Sequence, residues 1–188
     1  MLIKRVLDII IALLLFVLLS LPLALIALII KLTSPGPVLY WSDRIGKDNQ
    51  VFKMCKFRTM RKDTPPLATH LLKDVGSYLT AIGPFLRKYS LDELPQLFNV
   101  ISGQMTFVGP RPALFNQEDL IGLRTKKGVH KLIPGVTGWA QVNGRDELPI
   151  PVKVEFDEFY LRNKSLFLDA KIILMTIFKV VKKEGVSH

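Results

Sequence analysis

The chain has 188 residues and carries 26 Lys and Arg against 16 Asp and Glu, a formal net charge of +10. It is also 49% hydrophobic, with a mean hydropathy of +0.29, which excludes both a basic disordered arm and an ordinary soluble domain. One cysteine excludes a disulfide-stapled scaffold and, with three histidines, leaves too few soft ligands for a structural zinc site. What remains is a small chain, of one-domain length, that meets an anionic membrane surface, an anionic substrate, or both.

The apolar excess comes first. From Val6 to Ile30 only Asp8, Ser20 and Pro22 interrupt the run. As one helix it would be about 37 Å long, enough to cross a bilayer. A signal peptide has a shorter apolar core, about 7–15 residues, and a small-residue cleavage site. This run ends in Ile29-Ile30-Lys31-Leu32, so an uncleaved membrane segment over residues 1–32 is predicted. Lys4 and Arg5 before it and Lys31 after it set no orientation. Pro22 removes a helical hydrogen bond, and a serine hydroxyl takes up freed backbone groups. Ser20 and Pro22 therefore fit either a kinked span, favoured by this physics alone, or a helix-break-helix that enters and leaves on one side.

Residues 33–188 follow as one further unit. Thr33-Ser34-Pro35-Gly36-Pro37 is a turn. Val38 to Met60 predicts a hairpin centred on Gly46-Lys47-Asp48-Asn49. Residues 61–83 predict loop and short helix, and residues 84–101 helix interrupted near Ser90. Glycines and prolines between Gly103 and Gly144 then cut the chain into turns. Ser165–Lys183 predicts a helix with an apolar stripe and lysines, suited to a core or to a membrane interface. The fold class expected is mainly α with a small β hairpin.

The sharpest local feature is Ser90-Leu91-Asp92-Glu93-Leu94-Pro95-Gln96-Leu97. A capping box from Ser90 to Glu93 is the simplest reading, but it buries Pro95 in a helix interior. Placing Asp92 at the N-cap moves Pro95 to a position whose N–H has no intrahelical partner. Two adjacent carboxylates would then sit at the positive end of a helix dipole, which also attracts phosphate. The tetrapeptide recurs at Asp146–Pro149, where Ile150-Pro151 follows and a turn is expected in place of a regular helix. Arg111 stands between two prolines, a costly way to hold a surface charge and a sensible way to aim a guanidinium at phosphate. Lys56 and Arg58 flank Phe57 as on one polar face of a strand, and Arg87 and Lys88 precede the acidic pair. Singly, each charge reads more simply as solvated. The sequence contains no P-loop, GxGxxG, GxSxG or HExxH pattern.

Taken in order, these segments resemble the monotopic phosphoglycosyl transferases, the bacterial sugar transferase family. The resemblance runs from the membrane segment through Ser34-Pro35-Gly36-Pro37-Val38 and Lys56-Phe57-Arg58-Thr59-Met60 to Ser90–Val100. It continues through Phe107-Val108-Gly109-Pro110-Arg111-Pro112 and Pro134–Arg145. It implies the small, single-domain form, and transfer of a sugar 1-phosphate from a UDP-sugar to polyprenol (undecaprenyl) phosphate with release of UMP. Asp92 would be the nucleophile that forms a phosphosugar ester, and Glu93 would hold Mg²⁺. Lys56, Arg58, Arg87, Arg111, Gln141 and Arg145 would contact substrate phosphates and donor. The membrane segment would be re-entrant, although Leu21 separates Ser20 from Pro22, where the family joins Ser to Pro. The protein would sit on the cytoplasmic face of a bacterial inner membrane, among its lipids, with interfacial helices and no nucleic-acid partner. It would open a glycan pathway such as capsule or glycoconjugate synthesis. A homodimer stays open. Thr64–Asp74, Pro112–Gln117 and Gly185–His188 resemble relatives that use UDP-N-acetylated 6-deoxyhexosamines. The competing class is a non-enzymatic basic membrane adaptor, whose binding would be salt-sensitive and indifferent to Asp92 and Glu93.

Overall fold

A computed structural model of the chain describes residues 2–64, 76–144 and 148–182. Helix α1 (Leu2–Leu18) and helix α2 (Ser20–Thr33) meet at Leu19 with a bend of 61°. Pro22 offers no N–H to the carbonyl four residues back, and the Ser20 hydroxyl donates to Val17 O at 2.8 Å. Among the described residues no single helix is long and apolar enough to cross a membrane; the bent pair passes that test together.

Both arms of the pair are fastened to the rest of the protein. Ala12 of α1 is fully buried in a cluster with Met54, Leu97, Val100 and Met105, and Phe16 meets Phe98 edge-on. Ile30 of α2 is fully buried against Phe57 and Leu86. The polar residues of α1 are spent on the body as well. Asp8 accepts from Thr106 Oγ1 at 2.6 Å, and Arg5 donates to Val100 O and Ile101 O at 2.6 and 2.9 Å. Lys4 Nζ donates to Asp169 Oδ2 at 2.6 Å, Tyr160 OH at 2.9 Å and Val108 O at 2.8 Å. The apolar residues near the bend stay outside: Val17 and Leu18 are each 73% exposed and Leu21 is 68% exposed.

The expected hairpin is present as strands β1 (Leu39–Ile45) and β2 (Val51–Phe57), paired antiparallel with Leu39 opposite Phe57 and Ile45 opposite Val51. Asp48 and Asn49 take the left-handed conformation at its turn, which these two residue types tolerate. Fully buried Cys55 lies in β2, and burial pushes its thiol pKa up to about 11, away from the nucleophilic thiolate form. The next helices are α3 (Gly83–Lys88) and α4 (Leu97–Ser102), with a 3₁₀ segment at Leu91–Gln96 between them. Strand β3 (Thr106–Val108) pairs in parallel with β5 (Gly135–Thr137), whereas β4 (Ala113–Leu114) joins the free edge of β1. Residues 109–112 therefore cross from one sheet to the other.

Helix α5 (Glu118–Lys126) and the short α6 (Trp139–Val142) follow, and neither stood out in the sequence. Helix α7 (Ile150–Asn163) corrects the expectation of a turn after the second Asp-Glu-Leu-Pro. Pro149 is its N-cap and Pro151 lies in its first turn, where a missing N–H costs nothing. Helix α8 (Leu166–Lys182) begins after Ser165, whose hydroxyl accepts from Leu168 N at 3.2 Å. Its faces differ: Ile172 is fully buried and packs into the core, while Leu174, Ile177 and Phe178 are exposed.

The placement of Asp8 gives a test opposed to hydropathy. Asp8→Ala makes α1 more apolar, yet strands the buried Thr106 hydroxyl. It is expected to cost about 1–3 kcal/mol, read as a lower Tm for the purified protein. An unchanged or raised Tm would contradict the docked position of α1.

Candidate active site

The site begins with a reversal of the backbone. Ser90 sits at φ 54, in the left-handed region that non-glycine residues rarely occupy. It ends α3 and starts the 3₁₀ segment, with Glu93 N donating to Ser90 O at 3.2 Å. Asp92 is therefore inside this segment and not at an N-cap, which corrects the register expected from Pro95. The tighter 3₁₀ winding, followed by a fresh start of α4 at Leu97, accommodates the proline. Asn99 of α4 fixes that helix, and with it the 3₁₀ segment it continues, against the hairpin. Its Oδ1 accepts from Cys55 N at 2.9 Å, and its Nδ2 donates to Lys53 O and Gln104 Oε1, each at 2.8 Å. That clamp holds the next residue of β2, Lys56, over the acidic pair.

The two carboxylates have different cationic neighbours. Lys56 Nζ lies 2.7 Å from Glu93 Oε1, and Arg111 Nη2 lies 3.2 Å from the same oxygen. The three side chains are 16%, 27% and 12% exposed for Lys56, Arg111 and Glu93, so water screens them only partly. Asp92 is buried at 9% exposure and lies in the field of Arg87. Burial lowers the Arg87 pKa, and the negative charge of Asp92 acts against that shift. Arg87 Nε also donates to Thr59 Oγ1 at 3.0 Å, which ties α3 to the chain just past β2.

Arg111 reaches Glu93 from the crossing segment 109–112. That segment lies directly on the start of β5: Gly109 N donates to Thr137 O and Gly135 N to Pro110 O, both at 2.9 Å. A Cβ on Gly135 would come within 2.1 Å of Gly109 N, and one on Gly138 within 2.1 Å of Gly109 O. These glycines are what let two of the sequence motifs touch through their backbones. The third tie is a side chain. Arg124 Nη1 of α5 donates to Arg111 O at 2.8 Å, while its Nε and Nη2 hold Asp157 Oδ2 of α7 at 2.9 and 2.6 Å.

Three of the residues expected at a site are thus brought to the Asp92–Glu93 pair: Lys56, Arg87 and Arg111. Arg58 is placed differently. It is buried at 5% exposure and bridges Pro35 O at 2.6 Å and Ser34 O at 2.8 Å, closing the turn after α2. Gly36 at φ +117 makes room for it, since a Cβ there would meet Arg58 Nη1 at 2.3 Å. Gln141 donates to Val136 O at 3.0 Å within its own motif, and its buried Oε1 has no hydrogen-bond partner among the described residues. Arg145 lies outside the described residues, as do Asp146, Glu147 and residues 65–75 and 183–188. Asn99, Arg124 and Asp157 were not foreseen. Asn99 lies within the Asp92 motif and could have been found there; a buried ion pair between two distant helices leaves no local pattern.

Among the described residues no three His, Cys, Asp or Glu side chains cluster in a way that could cage a metal ion. The donor set fits an ion such as Mg²⁺, which takes one or two protein carboxylates and completes its shell with phosphate and water.

A family model described as bacterial sugar transferase matches residues 1–183. The UDP-glucose:undecaprenyl-phosphate glucose-1-phosphate transferase of Escherichia coli (strain K12) is 42% identical over 186 residues, 95% of this chain and 40% of the relative. The uncharacterized sugar transferase EpsL of Bacillus subtilis (strain 168) is 38% identical over 190 residues, 100% of this chain and 92% of the relative. The UDP-N-acetylgalactosamine-undecaprenyl-phosphate N-acetylgalactosaminephosphotransferase of Aeromonas hydrophila is 37% identical over 188 residues, 97% of this chain and 44% of the relative. The chain thus spans less than half the length of the two relatives whose names state a reaction.

The placement of Arg58 separates a structural from a binding role. Lysine cannot bridge two carbonyls as the guanidinium fork does. Arg58→Lys is expected to lose about 1–3 kcal/mol in urea unfolding. A residue reserved for a ligand would leave the midpoint unmoved.

Proposed function

The chain belongs to the bacterial sugar transferase family, and on that premise we propose that it transfers a sugar 1-phosphate from a UDP-sugar to undecaprenyl phosphate. The observation that carries the proposal is the paired Asp92 and Glu93 with Lys56, Arg87 and Arg111 converging on them. Three cations around two adjacent carboxylates, reached from three separate stretches of chain, are an arrangement for holding phosphate next to a nucleophile.

The reaction is two displacements at one phosphorus. A carboxylate oxygen of Asp92 attacks the sugar-bearing phosphorus of the donor, the bond to the bridging oxygen breaks, and UMP leaves. The product on the enzyme is an acyl phosphate between Asp92 and the sugar phosphate. An oxygen of undecaprenyl phosphate then attacks the same phosphorus and breaks its bond to Asp92. Undecaprenyl diphosphate sugar leaves and the carboxylate is restored. The covalent step lets one site serve a water-soluble donor and a lipid acceptor in turn.

Lys56 and Arg111 can turn donors toward the diphosphate while keeping Glu93 company, because an ammonium has three donors and a guanidinium five. They offset the charge that would otherwise repel an anionic nucleophile. Glu93 would hold Mg²⁺, which supplies charge neutralisation on the phosphates when bound. Arg87 sets a positive charge near Asp92 that offsets part of the negative charge the donor brings. Arg145 belongs to the proposed donor contacts by resemblance, and Gln141 offers an acceptor through its unpaired Oε1.

The bent pair suits a re-entrant membrane element. The start of α1 is bonded to α8 and β3, and the end of α2 is packed on β2 and α3, so both ends attach to one body with the apolar bend projecting. On this reading the body lies at the cytoplasmic face of a bacterial membrane, where the acceptor phosphate is found. For the sugar, the resemblance of Thr64–Asp74, Pro112–Gln117 and Gly185–His188 to relatives of that kind favours a UDP-N-acetylated 6-deoxyhexosamine, whereas the names of the relatives above state glucose or N-acetylgalactosamine. A panel of the three donors is expected to favour the first.

The test is UMP release from UDP-sugar and undecaprenyl phosphate. Asp92→Asn is expected to reduce turnover at least about 10³-fold, and Lys56→Met or Arg111→Met about 10²- to 10³-fold. Chelation of divalent cations is expected to stop turnover, and added Mg²⁺ to restore it. Full turnover by Asp92→Asn would end the nucleophile assignment.

A further inference from the structure

Arg124 and Asp157 form a charged pair inside the protein, at 9% and 2% side-chain exposure. Burial pushes the Asp157 carboxyl upward, against the pull of Arg124 and Lys153. Such a pair is a poor stabiliser, because desolvating two charges offsets most of their attraction, and apolar residues of similar size often serve the fold as well. Its geometry shows another use. Two of the three guanidinium nitrogens are taken by one oxygen of Asp157, and the remaining nitrogen, Nη1, is aimed at Arg111 O. Asp157 thus fixes the rotation of the guanidinium, and the guanidinium fixes the carbonyl of the residue whose side chain reaches Glu93.

The neighbouring ties explain why this one matters. Gly109 and Pro110 are bonded to β5, and Ala113 pairs with Ile45 of β1. Arg111 lies between these anchors, at the seam of two sheets that share no strand. Its peptide carbonyl is held by α5, and α5 is held at that point by α7.

We propose that Arg124 and Asp157 are positioning residues for Arg111, setting the height and direction from which its guanidinium approaches Glu93 and the donor phosphates. Neither touches substrate. The proposal rests on the phosphate-transfer reading of the site, and it also predicts a backbone effect that needs no turnover.

The decisive variants are Asp157→Asn, Arg124→Lys and the double replacement Arg124→Met with Asp157→Leu, each made with Arg111 intact and with Arg111→Ala. With Arg111 intact, each is expected to lower kcat for UMP release about tenfold, with less than about a twofold change in donor KM. In the Arg111→Ala background the same changes are expected to alter kcat by less than about twofold, because the residue they act through is gone. The apolar double replacement leaves no buried charge, so its Tm is expected near that of the unaltered protein while kcat stays low. Equal losses in both backgrounds, or recovery of kcat together with Tm in the apolar pair, would overturn the proposal. Amide hydrogen exchange gives the separate readout: Arg111, Ala113 and Leu114 are expected to exchange faster in the apolar pair, and β2 at the former rate. If the unaltered protein released no UMP, the phosphate-transfer reading would fail by itself, and unchanged exchange at these amides would then reject the positioning role.

Discussion

One carboxylate oxygen, Oε1 of Glu93, draws an ammonium from one sheet edge and a guanidinium from the seam between two sheets. Lys56 and Arg111 repel each other and are partly shielded from water. They can share this space because Glu93 lies between them. Much of the described structure can be read as support for that meeting. Asn99 holds β2 against α4, which continues directly from the 3₁₀ segment, the left-handed Ser90 starts that segment, and the close backbones at Gly109, Gly135 and Gly138 bring the Arg111 segment into range. A phosphate donor entering here meets cations already gathered and already oriented, which is the form of electrostatic stabilisation that costs least at the moment of reaction.

The N-terminal helices join that site to the apolar half of the molecule. Their polar residues are not flaws in a hydrophobic segment. Lys4, Arg5 and Asp8 bond to Asp169, Tyr160, Val108, Val100, Ile101 and Thr106, and so tie α1 to both the second sheet and the last helix. Lys4 donates to Val108 O, three residues before Arg111, so the helix pair and the Arg111 segment share a support. The opposition between a +10 charge and a positive mean hydropathy resolves into two places on one body. The apolar bend and the outer side of α8 carry the first, and the cations around the acidic pair carry part of the second.

The legible parts of the sequence were those in which pattern and neighbours in sequence coincide. The hairpin followed from its turn, the break near Ser90 from interrupted helical spacing, and the acidic pair from adjacent carboxylates. Proline misled twice. At Pro95 a 3₁₀ segment absorbed it, which moved Asp92 away from an N-cap; at Pro149 and Pro151 the first helical turn absorbed both, and α7 began where a turn was expected. Arg58 stands opposite a pair of carbonyls, and strand alternation shows which face a charge occupies and not what stands opposite it. The Arg124–Asp157 pair lay beyond reach, since two ordinary-looking charges on separate helices declare themselves only when the helices pack.

The central claim is that Asp92 carries the sugar phosphate between donor and acceptor. Intact-protein mass measurement after mixing with the UDP-sugar donor and Mg²⁺, without undecaprenyl phosphate, tests it most directly. A gain equal to one sugar phosphate is expected, mapped to the peptide containing Asp92, lost on adding undecaprenyl phosphate and absent in Asp92→Asn. UMP release at full rate with no adduct at any time, or an adduct that persists in Asp92→Asn, would contradict it.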